Sequence, residues 1–296
     1  MLKQYENRRA LAALVAVCII WGTTYLINKL GVSSMPPLFF TSIRQLTAAI
    51  LLLAYLFLIK KLKWPDRSFI KLQLILGLLL ISGGNGLGIY GLQYIDSGIS
   101  AILATFSPIL IAFLMSMLQK DHHISKWTWI GLILGCLGIL IICLQKIGMH
   151  PGRASIIGIL FTMLSIVTWA IGSVYSKIKK HNYNPFMSAG FQMLFGGIPV
   201  LVISLLFEKP WNIEIETYHI LIWAYAIVLG SLVAYSCFIY CLNHLPVTLV
   251  SIHTYINPII AVMLGALLLG ELINFWILVG AVVSLTGVYL VTKHSK

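Results

Sequence analysis

The chain has 296 residues, 59% of them hydrophobic and only 9% charged, where an ordinary soluble domain carries roughly 25% charged residues. So few charges cannot cover a water-facing surface, and apolar runs of about 20 residues, enough to cross about 30 Å of hydrocarbon, recur along the whole chain. The formal charge of +12 would suit nucleic acid if Lys and Arg formed one stripe on a folded surface, but they cluster in alternate short connections, which excludes a nucleic-acid partner and predicts an integral, multi-pass protein of a cell membrane, in contact with the lipid bilayer.

Hydropathy, with turn residues and charges as punctuation, predicts an all-α polytopic membrane protein of ten transmembrane helices. The first span, 11–31, follows Arg9 and lacks a small-residue cleavage pattern, so it reads as a span and not as a signal peptide. It holds Ile20-Trp21-Gly22, and Lys29 lies near enough to its end to snorkel. The second, 38–59, holds Arg44, about 10 Å below the outer surface by helical rise. A charge at that depth is a functional hypothesis; contact with substrate, snorkelling to headgroups and bonding to helix-end carbonyls are the readings open to it.

The third span, 72–94, holds Asn85 among Gly84, Gly86 and Gly88. The run from Gly86 through Gly88 to Gly91 matches dinucleotide-binding spacing but has no βαβ context and is discarded. The fourth, 98–118, holds Thr105, Ser107 and Pro108, and the fifth, 127–144, holds Gly131, Gly135 and Gly138. The sixth to tenth run 154–176, 186–207, 220–242, 247–269 and 275–291. They carry Trp169, Gln192, Tyr235, the group His253, Asn257 and Pro258, and the pair Gly280 and Gly287.

Basic residues gather at Lys3, Arg8 and Arg9, at Lys60, Lys61, Lys63, Arg67 and Lys71, at Lys120 and Lys126, at Lys177, Lys179 and Lys180, and at Lys293 and Lys296. Under the positive-inside rule both termini are cytoplasmic. Trp64, Trp127, Trp129, Trp211, Trp223 and Trp276 fall at span ends, where an indole anchors at headgroup level. The five cysteines, Cys18, Cys136, Cys143, Cys237 and Cys241, lie in apolar runs and read as packing residues, not as a disulfide framework or a zinc site.

Sliding the chain on itself by about 150 residues exposes a repeat. Trp21 pairs with Trp169, Pro37 with Pro185, Arg44 with Gln192, Asn85 with Tyr235, Tyr90 with Tyr240, Pro108 with Pro258, Asp121 with Glu271, Gly131 with Gly280 and Gly138 with Gly287. Five spans is an odd number, so the second repeat enters the membrane from the opposite side. The chain therefore divides into two inverted five-helix repeats, 1–146 and 154–296, a construction found in secondary transporters.

The residues now quoted carry a resemblance to the EamA family of the drug/metabolite transporter superfamily. Trp21-Gly22 is similar to the family's Trp-Gly element and Arg44 to a recurrent arginine. The stretch from Ser97 through Thr105-Phe106-Ser107-Pro108 to Asp121, Gly131 and Gly138 resembles the family's fourth and fifth helices. It recurs in Ile256-Asn257-Pro258, Gly270-Glu271, Gly280 and Gly287. Asp121, beside His122 and His123, departs from the usual glutamate. The resemblance implies a ten-helix transporter with a central cavity between the halves, exporting amino acids or other metabolites.

Polar groups deep in the spans mark a pathway, since each is costly against lipid. Trp21, Arg44, Asn85, Ser107, Trp169, Tyr235, His253 and Asn257 are the candidate substrate-binding residues, with Thr105 at similar depth, although interhelical hydrogen bonding is the competing role for each. Pro108 and Pro258 are the candidate gating residues, because paired bends in two repeats point to the binding region. No ATP-binding motif is present and no carboxylate lies in the spans, so neither metal, cofactor nor catalytic triad is expected. The reading is a secondary transporter of small-molecule substrates and not an enzyme. Coupling to a proton or ion could use His253, or be replaced by exchange. A membrane-embedded enzyme acting on lipid-linked substrates, centred on Arg44 and His253, and a passive channel are the alternatives.

Overall fold

A computed structural model describes residues 2–118, 125–149, 153–179, 183–251 and 274–294, together with 253, 254, 256, 257, 260, 264, 267 and 268. Pro258, the acidic positions Asp121 and Glu271, and the neighbours His122, His123 and Gly270 lie outside the described residues. The regular structure described is helical throughout: α1 (Leu2–Ser34), α2 (Pro37–Ile59), α3 (Arg67–Leu92), α4 (Ser97–Leu118), α5 (Lys126–Met149), α6 (Arg153–Ile178), α7 (Pro185–Phe207), α8 (Thr217–His244), α9 beginning at Val247–Val250, and α10 (Phe275–His294). Among the described residues seven helices, α1 to α4 and α6 to α8, are long and apolar enough to cross a membrane.

The helix ends follow from local chemistry. Pro37 and Pro185 occupy first-turn positions, where the missing N–H costs nothing. Asp66 accepts from Phe69 N at 2.7 Å and Asn274 from Ile277 N at 2.8 Å, capping α3 and α10. The start of α2 is capped from elsewhere: Glu208, just past α7, accepts from Leu38 N and Phe39 N, both at 2.9 Å. A carboxylate there meets the positive end of the helix dipole and ties two helices together.

Two features depart from regular α-helix in ways the apolar pattern did not disclose. Gly77–Gly86 in α3 and Ala226–Tyr235 in α8 are π-helical, as is the last turn of α2, Tyr55–Ile59. In α4 the chain tightens just before Pro108, where Thr105 N bonds to Ile102 O and Phe106 N to Leu103 O, both at 3.0 Å. Proline supplies no N–H and its ring crowds the carbonyl four residues back, so the ladder breaks there.

Packing relies on close backbone approach, as expected where lipid gives no hydrophobic drive between helices. On α5 and α10 the glycines interlock crosswise. A Cβ on Gly138 would lie 2.6 Å from Gly280 O, and one on Gly287 would lie 2.5 Å from Gly131 O. Alpha3 and α7 meet likewise, with Gly77 against Gln192 O and Gly196 N. The largest apolar core joins α1, α6, α8 and α9 through Val17, Cys18, Val174, Phe238, Ile239, Leu242 and Val250.

Three expectations are corrected. Lys29 does not snorkel; its Nζ donates to Leu92 O and Ile95 O, at 3.0 and 2.7 Å, so the end of α3 satisfies it more directly than the headgroups would. Trp223 is buried and donates Nε1 to Phe40 O at 3.3 Å, packing between helices instead of anchoring at the surface. Thr105 does not face a pathway, for its hydroxyl is taken by Ile102 O and by Ser284 Oγ of α10, both at 2.7 Å. Trp64, Trp127, Trp129, Trp211 and Trp276 are exposed.

Candidate functional site

A half-open cavity with a volume of ≈ 160 Å³ lies in the half of the bundle where α1 and α3 end and α2, α4 and α6 begin. All eight residues singled out from the sequence, Trp21, Arg44, Asn85, Ser107, Trp169, Tyr235, His253 and Asn257, line it.

Arg44 is its charged centre. From α2 the guanidinium donates Nη1 to Asn28 Oδ1 of α1 at 2.9 Å and Nη2 to Asn85 Oδ1 of α3 at 2.7 Å. The side chain is 3% exposed, its Nε has no partner among the described residues, and the Phe40 ring lies 5.9 Å from Cζ. Both acceptors are neutral amides, and no carboxylate is among the described lining residues. The positive charge is held in place without being neutralised. Snorkelling is therefore not what this arginine does.

The floor is aromatic. Trp21 sits about 20 Å along α1 from Ser34 and meets Trp169 edge-on at 5.6 Å, Phe238 at 5.1 Å and His253 at 5.1 Å; Trp169 also meets Phe238 at 4.9 Å. The Trp21 indole N–H donates to Gly230 O at 3.2 Å, a carbonyl within the π-helical stretch of α8. Such stretches are frequent at functional sites because their loosened ladder offers backbone groups to other partners. Asn85 and Tyr235 each stand near the end of one.

His253 donates Nδ1–H to Val250 O at 2.8 Å, which leaves Nε2 as the ring's acceptor. With its amide nitrogen facing two carbonyls, Asn257 donates to His253 O and to Cys18 O, both at 2.9 Å, stitching α9 to α1. Tyr235 OH donates to Gln192 Oε1 at 2.6 Å, and Gln192 Nε2 donates to Gln73 Oε1 at 2.6 Å. Below the floor the core around Val17, Cys18, Ile239 and Val250 is packed shut. No group of three or more His, Cys, Asp or Glu placed to hold a metal occurs among the described residues.

Sequence reasoning passed over Tyr25, Asn28, Gln45, Ser100, Thr162 and Ser165, which also line the cavity. Asn28 was within reach, being an amide inside an apolar run that needs a partner there. The hydroxyls carry no such signal, since a helix can satisfy them from its own carbonyls.

The profile of the EamA-like transporter family matches residues 8–144 and, a second time, 156–293. The chain belongs to this family. Among individual relatives of this EamA-like protein, the "uncharacterized inner membrane transporter YedA" of Escherichia coli is 31% identical over 274 residues, covering 92% of this chain and 87% of that one. The "uncharacterized transporter YoaV" of Bacillus subtilis is 25% identical, covering 96% and 97% of the two chains. A chloroplastic WAT1-related protein of Arabidopsis thaliana is 27% identical, covering 94% and 68%. A crystal structure at 15% identity superposes with a TM-score of 0.70 over 95% of both chains and shares the fold. Apolar helices, family and relatives together make this a multi-pass membrane transporter, with a small molecule as its substrate.

Proposed function

We propose that this EamA-like protein is a secondary transporter that exports small polar metabolites such as amino acids by alternating access. The observation that carries the substrate class is Arg44, an arginine fixed in the cavity by the neutral oxygens of Asn28 and Asn85. A buried cation with no counter-ion among the described residues attracts a carboxylate. The aromatic floor of Trp21 and Trp169 takes the rest of the solute.

The carrier is built as two inverted five-helix repeats, 1–146 and 154–296, giving ten spans with both termini in the cytoplasm. Two successive family matches support that division. The crosswise glycine contacts support it too, because a two-fold axis makes position one of each repeat meet position two of the other. The repeats rock about the cavity, with the bend at Pro108 as one hinge and Pro258, its counterpart in the second repeat by sequence, as the candidate for the other. His253 Nε2, the free acceptor beside Trp21, is the place for a coupling proton, and exchange is the route without one.

Reconstitution into vesicles tests this reading. Saturable uptake and counterflow of labelled amino acids, lost in Arg44→Gln, are the expected result. Product formation from a lipid-linked donor would point to an enzyme, and conductance that never saturates to a channel; either would overturn the carrier.

A further inference from the structure

The connections after α2 and α7 repeat one turn at opposite ends of the bundle. Two residues past each helix stands a lysine with left-handed backbone, Lys61 at φ 49° and Lys209 at φ 48°, paired between the repeats in the same register as Arg44 and Gln192. A tryptophan follows each within three residues, and Trp64 and Trp211 are both 68% exposed. Turn and indole are therefore part of the repeated fold. The charge is not repeated. The stretch 60–71 holds Lys60, Lys61, Lys63, Arg67 and Lys71 against the single carboxylate of Asp66, whereas 208–219 holds Glu208, Glu214 and Glu216 against Lys209. Since the same turn forms without the cations, they serve something outside the chain.

All five cations are exposed, and they form no ion pair among the described residues. Asp66 spends its Oδ1 on Phe69 N, and the first turn of α3 carries Arg67 and no acidic residue, so the positive pole of the helix adds to the same field. The patch is braced by both repeats. Trp64 stacks on Phe57 of α2 at 5.1 Å and meets Phe191 of α7 edge-on at 5.6 Å, and Tyr183 OH, just before α7, accepts from Asp66 N at 3.3 Å. Beside it Leu58 and Ile59, in the last turn of α2, are exposed, an apolar surface of the kind that acyl chains cover.

We propose that this patch is a binding seat for an anionic phospholipid, whose phosphate lies among Lys60, Lys63 and Arg67 while its acyl chains run along Leu58 and Ile59. A zwitterionic lipid offers the same phosphate but brings its own ammonium to the cations, so it is the weaker ligand. The acidic counterpart at 208–219 repels an anionic headgroup, which makes the seat a property of one face alone. Because the patch joins α2 and α3 of one repeat to α7 of the other, a bound lipid ties the repeats together whatever the cavity carries.

Unfolding of the purified full chain in detergent, followed against added dioleoylphosphatidylglycerol or dioleoylphosphatidylcholine, tests the seat. Phosphatidylglycerol should raise the midpoint, reaching half its effect at a concentration at least about tenfold lower than phosphatidylcholine does. Lys60→Gln, Lys63→Gln and Arg67→Gln should each raise that concentration by about fivefold, the share of one cation near an anionic headgroup. Lys63→Arg, which keeps the charge, should keep the gain, and Lys209→Asn, in the matching turn, should leave it unchanged. Equal effects of the two lipids would overturn the seat. So would Lys209→Asn weakening the gain as much as Lys63→Gln, which is the mark of diffuse attraction, or Lys63→Arg losing as much as Lys63→Gln, the mark of a damaged turn. Glycerophosphoglycerol, the headgroup without its chains, should give no gain at the same concentrations; a gain equal to that of the whole lipid would show a site for free phosphate and overturn the lipid assignment.

Discussion

Lys29 and Lys177 make the same contact at the ends of two different helices. Lys29 Nζ donates to Leu92 O and Ile95 O at the end of α3, and Lys177 Nζ donates to Leu242 O and Leu245 O at the end of α8, at 2.9 and 2.6 Å. Carbonyls at a helix end lack intrahelical donors and carry the negative pole of the dipole, so an ammonium answers both needs. Lys29→Met should lower stability by about 1.5 to 3 kcal/mol, the range for hydrogen bonds to a charged group. Lys29→Arg should retain part of it. Unfolding in detergent measures both, and an unchanged midpoint for Lys29→Met would show that water replaces the cap.

Where the backbones of α5 and α10 touch, a single methyl is too much. A Cβ on Gly287 would lie 2.5 Å from both Gly131 O and Gly135 N, which are backbone atoms and cannot step aside. Gly287→Ala should therefore cost about 1 to 3 kcal/mol by overpacking. Gly230→Ala is the matched control, since the atom nearest to its added Cβ, Thr24 Cγ2, is 3.4 Å away. Equal unfolding midpoints for the two variants would remove the argument for close approach.

Seven of the expected spans, those of α1 to α4 and α6 to α8, were legible because an apolar run of bilayer length has one physical interpretation. Arg67–Leu92, for example, covers all but the last two residues of the expected 72–94, and Thr217–His244 encloses the expected 220–242. Arg44, Asn85 and His253 were legible as site candidates because polar groups inside such runs must find partners or solute. Their partners were not legible. That Arg44 reaches Asn28 and Asn85, while Gln192 reaches Gln73 and Tyr235, depends on helix rotation, which hydropathy does not encode. Nor did Trp223 reveal that its indole turns inward to Phe40 O, because a tryptophan near a span end is stable in either place. The π-helical stretch 77–86 begins where Gly77 packs against Gly196, and it leaves no periodic trace in the residues.

Pro108 follows the break at Thr105 and Phe106, and the break places Ser107 on the cavity. Replacing Pro108 with Ala restores an N–H that can bond to Ala104 O and draws α4 towards continuous α-helix. Transport by Pro108→Ala should fall several-fold at unchanged binding affinity, because the variant resists the bend without touching solute. Flux in vesicles and a thermal-shift titration separate the two quantities. Wild-type flux in this variant would make the proline a tolerated kink.

The charge on Arg44 gives the sharpest prediction. A lone arginine at mid-membrane costs about 2.5 to 3.5 kcal/mol on insertion scales, and here Asn28 and Asn85 offset part of that cost without cancelling the charge. Its unpaired Nε leaves one donor for a further partner. Arg44→Gln keeps a hydrogen-bonding amide but removes the charge, so affinity for a zwitterionic or anionic amino acid should drop by at least about tenfold, the equivalent of one charge-assisted hydrogen bond. Arg44→Lys keeps the charge but cannot bridge both amides with one compact head, so its loss should be smaller for the carboxylate and accompanied by lower stability. An amino acid amide, which lacks the carboxylate, should bind the wild type weakly and the Gln variant no worse. Thermal-shift titration of the purified variants with each acid and its amide measures these differences. If acid and amide lose affinity equally in Arg44→Gln, the arginine shapes the cavity through Asn28 and Asn85, and the carboxylate is held elsewhere.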